Sequence, residues 1–211
     1  MLRKTIYCIF IWLVAMTALG AWAKEAKKAE TISALEAMQM LTQEPKTTFL
    51  IDVRTRVEYT LLGHPPEAYN VPWQFATNQF QVKDGPYAGG KAPFTGYQLS
   101  PQPNPDFAGV VQSLFKPTDR LITICMDGDR GAEAADALVK AGFKKVYNVR
   151  HGLWGEPLTA KDQEKLAEKF SPHYGTRGKL DGWVFWGLPM THEINPRYVY
   201  PPDLKHMQTP K

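Results

Sequence analysis

The chain has 211 residues and a mass of 23.8 kDa, a size that suits one domain with appendages rather than two full domains. Hydrophobic residues make up 44% and charged residues 22%, ordinary globular usage that excludes wholesale disorder and a multi-span membrane protein. The formal charge of +4 comes without a dense Lys/Arg stripe, so nothing points to nucleic acid as a partner.

The first 23 residues stand apart. Arg3 and Lys4 precede an uncharged, mostly apolar run from Thr5 to Gly20, closed by Ala21-Trp22-Ala23. This is the layout of a secretory signal with cleavage expected after Ala23. The run is about 16 residues, short for a bilayer that needs about 20; a retained N-terminal anchor is the alternative. Cys8 lies inside the run without the small residue expected before a lipid-acceptor cysteine. Losing Arg3 and Lys4 lowers the net charge from +4 to +2 and leaves Cys125 as the sole cysteine. An exported chain with one thiol cannot form an internal disulfide, so that thiol is either a small buried hydrophobe or a reactive group. These features place the processed chain in the periplasm or another exported location, without a stable membrane span.

Ile32, Leu35, Met38 and Leu41 recur at helical spacing and predict a helix over Ala29 to Leu41, with Thr31 or Ser33 as its cap. Thr48 to Arg54 is a short apolar run ending in polar residues, as expected of a strand in a parallel sheet. Tyr69 to Pro72 is a shorter strand. Residues 73–106 form a long Pro/Gly/aromatic insertion, with Gly85-Pro-Tyr-Ala-Gly-Gly90 and Pro101-Gln-Pro-Asn-Pro105. Leu121-Ile-Thr-Ile-Cys125 is the clearest strand, followed at once by the polar turn Met126-Asp-Gly-Asp-Arg130. Ala132 to Ala141 reads as a helix stopped by Gly142, and Lys145 to Val149 as another strand. Beyond Pro157, Thr159 to Phe170 has the pattern of a charged amphipathic helix. The tail that follows carries Trp183, Phe185, Trp186 and Tyr198, aromatics expected to cover the domain's own sheet edge or helices rather than a partner. Strands alternating with helices imply an α/β domain with a small, mainly parallel sheet flanked by helices over 24–157, and a C-terminal extension over 158–211.

The chemistry concentrates at Cys125. A cysteine at the carboxyl end of a buried strand, before a Gly-containing turn and a helix, faces backbone N–H groups and the positive end of a helix dipole. That arrangement is expected to favour thiolate and to hold a persulfide, Cys–S–S⁻. Gly128 permits backbone conformations closed to other residues, and Arg130 is placed to bind an anion. Asp127 and Asp129 work against this, because carboxylates beside a thiolate oppose its formation and repel an anionic donor, less so if they point into solvent. The bland alternative is an inert core cysteine beneath a surface turn.

Asp52-Val-Arg54, Glu58-Tyr59, Gly63-His64, Asn70-Val-Pro72, the strand ending in Cys125, the loop through Arg130, Ala141-Gly-Phe143 and Val146-Tyr-Asn-Val-Arg-His-Gly152 together resemble a rhodanese-type sulfurtransferase domain. The resemblance covers about residues 30–155. It implies an active-site loop between a central strand and the next helix, with Cys125 as the catalytic nucleophile. Met126, Asp127, Gly128, Asp129, Arg130 and Gly131, with Arg54, would then bind substrate. Four residues separate Cys125 from Arg130, like the sulfur-handling members and unlike related phosphatases, whose loop is longer. Met126 departs from the family, which often has Arg or another thiosulfate-binding group there. Asp52 is expected to anchor loops, and Arg54 either to approach the substrate anion or to pair with Glu58. His64 reads as a loop-fixing residue, while His151 and Trp154 line the pocket rim or pack beneath a turn. No His/Cys/Glu set has metal-ligand spacing, and no cofactor is implied. Partners would be a small sulfur donor and a thiol or other thiophilic acceptor. The competing class is a non-catalytic rhodanese-like binding module docking a periplasmic redox partner.

Overall fold

The structure, a computed structural model, describes residues 24–82, 94–157 and 179–200. In chain order its elements begin with β1 (Glu30–Ile32), α1 (Ala34–Gln43), β2 (Thr48–Asp52), α2 (Arg56–Leu61) and β3 (Tyr69–Asn70). A ribbon of β4 (Ala76–Val82) and β5 (Phe94–Leu99) follows, then α3 (Phe107–Leu114), β6 (Arg120–Ile124), α4 (Asp129–Lys140) and β7 (Lys145–Val149). Two short strands, β8 (Glu156–Pro157) and β9 (Lys179–Leu180), pair antiparallel. The main sheet has the order β1-β7-β6-β2-β3, and every pairing in it is parallel. The expected α/β architecture is therefore present.

Side chains alternate across this sheet with the two-residue period of a strand. Ile51 and Leu121 face α3 and α4 in a core that includes Phe107, Val111, Ala134, Ala135 and Leu138. Leu50, Ile122 and Ile124 face the other way, onto Ala34, Ala37 and Tyr59. Cys125, one step past β6, keeps the register of Leu121 and lies on the α4 side. Both faces of the central strands are covered, which is why they read as near-continuous apolar runs.

Two expectations need correction. The helix predicted from Ala29 starts only at Ala34, because Ser33 and Glu36 close a capping box: Glu36 N–H donates to Ser33 Oγ at 3.2 Å and Ser33 N–H to Glu36 Oε2 at 2.8 Å. Residues 30–32 instead supply β1 to the free edge of β7, with Ile32 opposite Val149. The insertion is not irregular throughout, since β4 and β5 form an antiparallel ribbon with register shifts. Its two ends are clamped together where buried Asn104 donates from Nδ2 to the Pro72 carbonyl at 3.0 Å and from its amide to the Trp73 carbonyl at 2.7 Å. Gly85 to Gly90 and the predicted helix Thr159 to Phe170 lie outside the described residues.

Residues 181–200 run over the domain as a strap. The amides of Trp183 and Val184 donate to the carbonyls of Gly152 and Leu153 at 3.0 and 2.9 Å. Thr191 and His64 exchange backbone hydrogen bonds, and Tyr200 N–H reaches the Asn70 carbonyl at 2.9 Å. That last contact covers β3, a sheet edge that would otherwise offer unpaired backbone groups. Trp183 is fully buried against Leu153 and Tyr59's cluster and Phe185 is buried, while Trp186 remains 41% exposed. Most of the tail's aromatic surface thus packs on the chain itself. Among the described residues no helix is long and apolar enough to cross a membrane.

Candidate active site

Parallel strands deliver their carboxyl ends to one rim of the sheet, and the residues of interest gather there. Cys125 leaves β6 and the chain turns at Gly128, whose φ of +109° only glycine adopts cheaply. The Gly128 N–H donates to Cys125 Sγ at 3.1 Å. The thiol in turn points at Asp127 Oδ1, 3.7 Å away. Met126 is half-buried, and Asp127 and Asp129 occupy exposed positions.

The sulfur itself is fully buried. Burial pushes the Cys125 thiol up to about 11; the Arg130 charge and the amides of Gly131 and Asp127 oppose the rise, and the Asp127 carboxylate reinforces it. The expectation that helix dipole and loop amides would favour thiolate is therefore not met in this closed state. Desolvation of a charge outweighs a few partial dipoles.

Arg130 reaches across to α2 rather than lying free. Its Nη1 and Nη2 donate to the two carboxylate oxygens of Glu58 at 2.8 and 2.7 Å, a paired-fork contact. Burial opposes ionisation of Glu58, but the hydrogen bond and charge of Arg130 hold it below the usual carboxylate range. Glu58 also completes a capping box at the start of α2 with Thr55. The expected Arg54–Glu58 pair is absent: Arg54 is fully buried and forks onto Asp52, with Nη2 at 2.7 Å from Oδ2, and gives a further hydrogen bond to the Gly63 carbonyl at 2.8 Å. Arg130 has taken the Glu58 partner considered for Arg54, while Arg54, buried beneath the rim, folds back on the carboxylate two residues earlier and does not reach a substrate anion in this structure. Asp52 also anchors Asn70, whose Nδ2 donates to the carbonyls of Asp52 and Arg54 at 3.0 and 2.9 Å. His64 is buried, stacked on Tyr59 with ring centroids 3.6 Å apart, and gives Nδ1–H to the Tyr59 carbonyl at 3.1 Å. Burial lowers its pKa, in keeping with a loop-fixing residue.

Three supports of the loop have a bracing role that the sequence reading did not assign: Gly131, read only as substrate-binding, the buried pair Asn148 and Thr123, and Gly152. Gly131 has no room for a side chain, since a Cβ there would stand 2.2 Å from Asn148 Oδ1. Asn148 is buried on β7 and donates from Nδ2 to the Gly128 carbonyl at 3.3 Å, and Thr123 Oγ1 donates to the Gly131 carbonyl at 2.9 Å. The signal was available as polar residues inside apolar strands, which must find partners when buried. Gly152 is the third. At φ +57° it lies against the Cys loop so closely that a Cβ would stand 2.5 Å from the Cys125 carbonyl oxygen. Its neighbours Leu153 and Trp154 donate backbone N–H groups to the carbonyls of Cys125 and Met126, both at 2.9 Å.

His151 is buried, with Nε2 at 3.5 Å from Asp181 Oδ2 of the strap. The Cys loop, residues 152–155 and the strap therefore stack in three backbone layers. Asp129 Oδ1, finally, accepts the Lys24 backbone N–H at 2.6 Å. Among the described residues no group of three or more His, Cys, Asp or Glu could hold a metal ion.

Comparison with known proteins agrees with this geometry. A family profile described as Rhodanese-like domain matches residues 33–155. Thiosulfate sulfurtransferase 18 of Arabidopsis thaliana is 30% identical over 147 residues, which cover 66% of this chain and 93% of that protein. Rhodanese-like domain-containing protein 15, chloroplastic, of the same plant is 29% identical over 150 residues, 70% of each chain. Among solved structures, Rv0390 from M. tuberculosis matches at a TM-score of 0.52 and 22% identity, over 78% of this chain and 98% of that one, a likeness of fold.

Proposed function

The chain belongs to the rhodanese-like domain family, and on that premise we propose that it is an exported sulfurtransferase in which Cys125 carries sulfane sulfur as a persulfide. The observation that carries this reading is the Cys125 Sγ held by the Gly128 amide at the mouth of α4, with Arg130 closing the same loop. In the first half-reaction the loop opens and the Cys125 thiol loses its proton to solvent, a step that the Arg130 charge and the loop amides favour and the Asp127 carboxylate opposes. The thiolate attacks the outer sulfur of a donor such as thiosulfate, forming Cys–S–S⁻ as the donor S–S bond breaks and sulfite leaves with its electron pair. In the second, an acceptor thiol takes the outer sulfur as R–S–SH and the Cys125 thiolate is restored. The loop amides stabilise the charge on sulfur in the attacking thiolate and in the persulfide.

Two features shape the donor. The sulfur is buried, so the loop opens for each transfer. Asp127 and Asp129 disfavour a dianion, and the reading is therefore that a low-molecular-weight persulfide, with at most one charge on its sulfur, loads Cys125 faster than thiosulfate does. The buried, weakly acidic thiol also favours a second reading, a rhodanese-like module that binds a partner in the exported compartment without chemistry.

Intact mass separates the two. The processed protein is incubated with thiosulfate and, separately, with a low-molecular-weight persulfide. One added sulfur atom that vanishes in Cys125→Ser is the expected result; no addition from any donor to a folded protein with a free thiol assigns the chain to the binding class.

A further inference from the structure

Residues 24–29 lie along α4, and their path is set by an acidic stripe. Asp129, Glu133 and Asp136 project from one face of that helix at helical spacing. Asp136 accepts the amides of Lys27, Lys28 and Ala29 at 2.9, 2.7 and 3.0 Å. Glu133 takes the Lys24 Nζ at 2.5 Å on one oxygen and the Trp73 indole N–H at 3.0 Å on the other. The backbone nitrogen of Lys24 ends this ladder 2.6 Å from Asp129 Oδ1, in the first turn of the helix that opens at the Cys loop. The Ala21-Trp22-Ala23 motif stops at the residue before.

We propose that cleavage after Ala23 installs the α-ammonium group of Lys24 as a resident charge of the catalytic loop, ion-paired with Asp129. Water splits the Ala23–Lys24 amide under a peptidase that cuts after small residues; the leader departs with the new carboxylate, and Lys24 keeps the nitrogen. In the precursor that nitrogen is a neutral amide with one N–H. After processing it is an ammonium with three donors, protonated at neutral pH. Asp129 then no longer contributes a bare negative charge at the end of the Cys loop. The groups around the new charge are Asp129, Glu133 and Asp136 on α4, Lys24 Nζ beside Glu133, Asp127 in the loop, and the Arg130–Glu58 pair behind it. Among these groups the exposed Asp127 carboxylate has no cation opposite it, and Asp136 is held by backbone amides. Processing thus tunes the loop toward thiolate and toward anionic donors. The inference rests on the export reading and not on sulfur transfer.

The exported protein is first purified from cells producing the full chain, and its N-terminal residue is read by mass; Lys24 is expected, and any other first residue overturns the proposal. A recombinant chain beginning at Lys24 is then compared with the same chain retaining Ala23 and with Asp129→Asn. Acylation of the α-amine is followed on the N-terminal peptide at pH 7. The Lys24 chain should react about two- to fivefold more slowly than Asp129→Asn, because the exposed ion pair keeps the amine protonated. The Ala23-bearing chain, whose amine is displaced by one residue, should react at the ordinary rate and decides the matter if Asp129→Asn does not fold. Equal acylation rates in the Lys24 chain and the comparison chains would refute the ion pair. None of these readouts requires Cys125 to accept sulfur, so a failed sulfurtransferase assay leaves the result standing.

Discussion

Replacing Gly152 by alanine should loosen the Cys125 loop without touching the sulfur. The added Cβ would meet the Cys125 carbonyl oxygen at 2.5 Å, Asp127 N at 2.8 Å and Met126 C at 2.8 Å, all of them backbone atoms. Ordinary contact begins near 3.4 Å, so the loop and residues 152–155 must separate by about 0.9 Å. The hydrogen bonds from Leu153 and Trp154 to the Cys125 and Met126 carbonyls, both 2.9 Å, lengthen out of range. Each is worth about 1 kcal/mol, and an alanine held at the φ of +57° costs about 1 to 2 kcal/mol more. The expected loss is about 3 to 4 kcal/mol in urea unfolding. Gly142→Ala is the control: it shares a positive φ, +103°, but its Cβ would meet nothing within 4 Å, so it should lose only the backbone part, about 1 to 2 kcal/mol. The distinguishing assay is alkylation of native Cys125 by iodoacetamide at pH 9. Gly152→Ala should react several-fold faster than wild type because the loop has lifted, and Gly142→Ala at the wild-type rate. Equal stability losses in the two variants, with no change in alkylation, would refute the claim that Gly152 holds the loop shut.

Further outcomes follow from the site's electrostatics. With the folded thiol at about 11 and its ordinary value at 9.0, the folded protein keeps a proton that the unfolded chain sheds. Stability should therefore be intact below pH 9 and decline between pH 9 and 11 by about 2 to 3 kcal/mol. Denaturation curves of wild type and Cys125→Ala should diverge in that window; parallel curves would show that the buried thiol titrates normally. Removing one partner of the Arg130–Glu58 pair strands a largely buried charge, with side-chain exposures of 12% and 21%. Arg130→Gln should cost about 3 kcal/mol and raise the Cys125 pKa, whereas adding Glu58→Gln should recover much of the stability. An additive double variant would mean that the fork contributes no coupling.

Much of this arrangement was legible in the residues. Leu121 to Cys125 announces a buried strand because its run is β-branched and uncharged. The Asp-Gly-Asp-Arg turn then marks where that strand opens into a functional loop, and Gly142 marks where the helix stops. The limits of legibility are physical as well. Helical spacing from Ile32 to Leu41 concealed β1, because the same apolar Ile32 serves equally well on a strand, and only the empty edge of β7 decides between them. The aromatics of the tail have no periodicity, so nothing local could place Trp183 in the core or lay residues 181–200 against the Gly152 layer.

The sequence by itself determined the central strands β2, β6 and β7 and the helix after the Cys loop, the short Cys-to-Arg loop and the acids that flank it, since each is a local property of composition and spacing. Tertiary structure alone decided which charges meet and what water can reach. Arg54 pairs with Asp52 and Arg130 with Glu58, 72 residues away, because pairing between charges depends on distances that the chain acquires only on folding. The state of Cys125 was settled in the same way. A helix dipole and loop amides can be read from a motif, but the burial that outweighs them comes from Gly131, Asn148 and Gly152 converging from three separate segments.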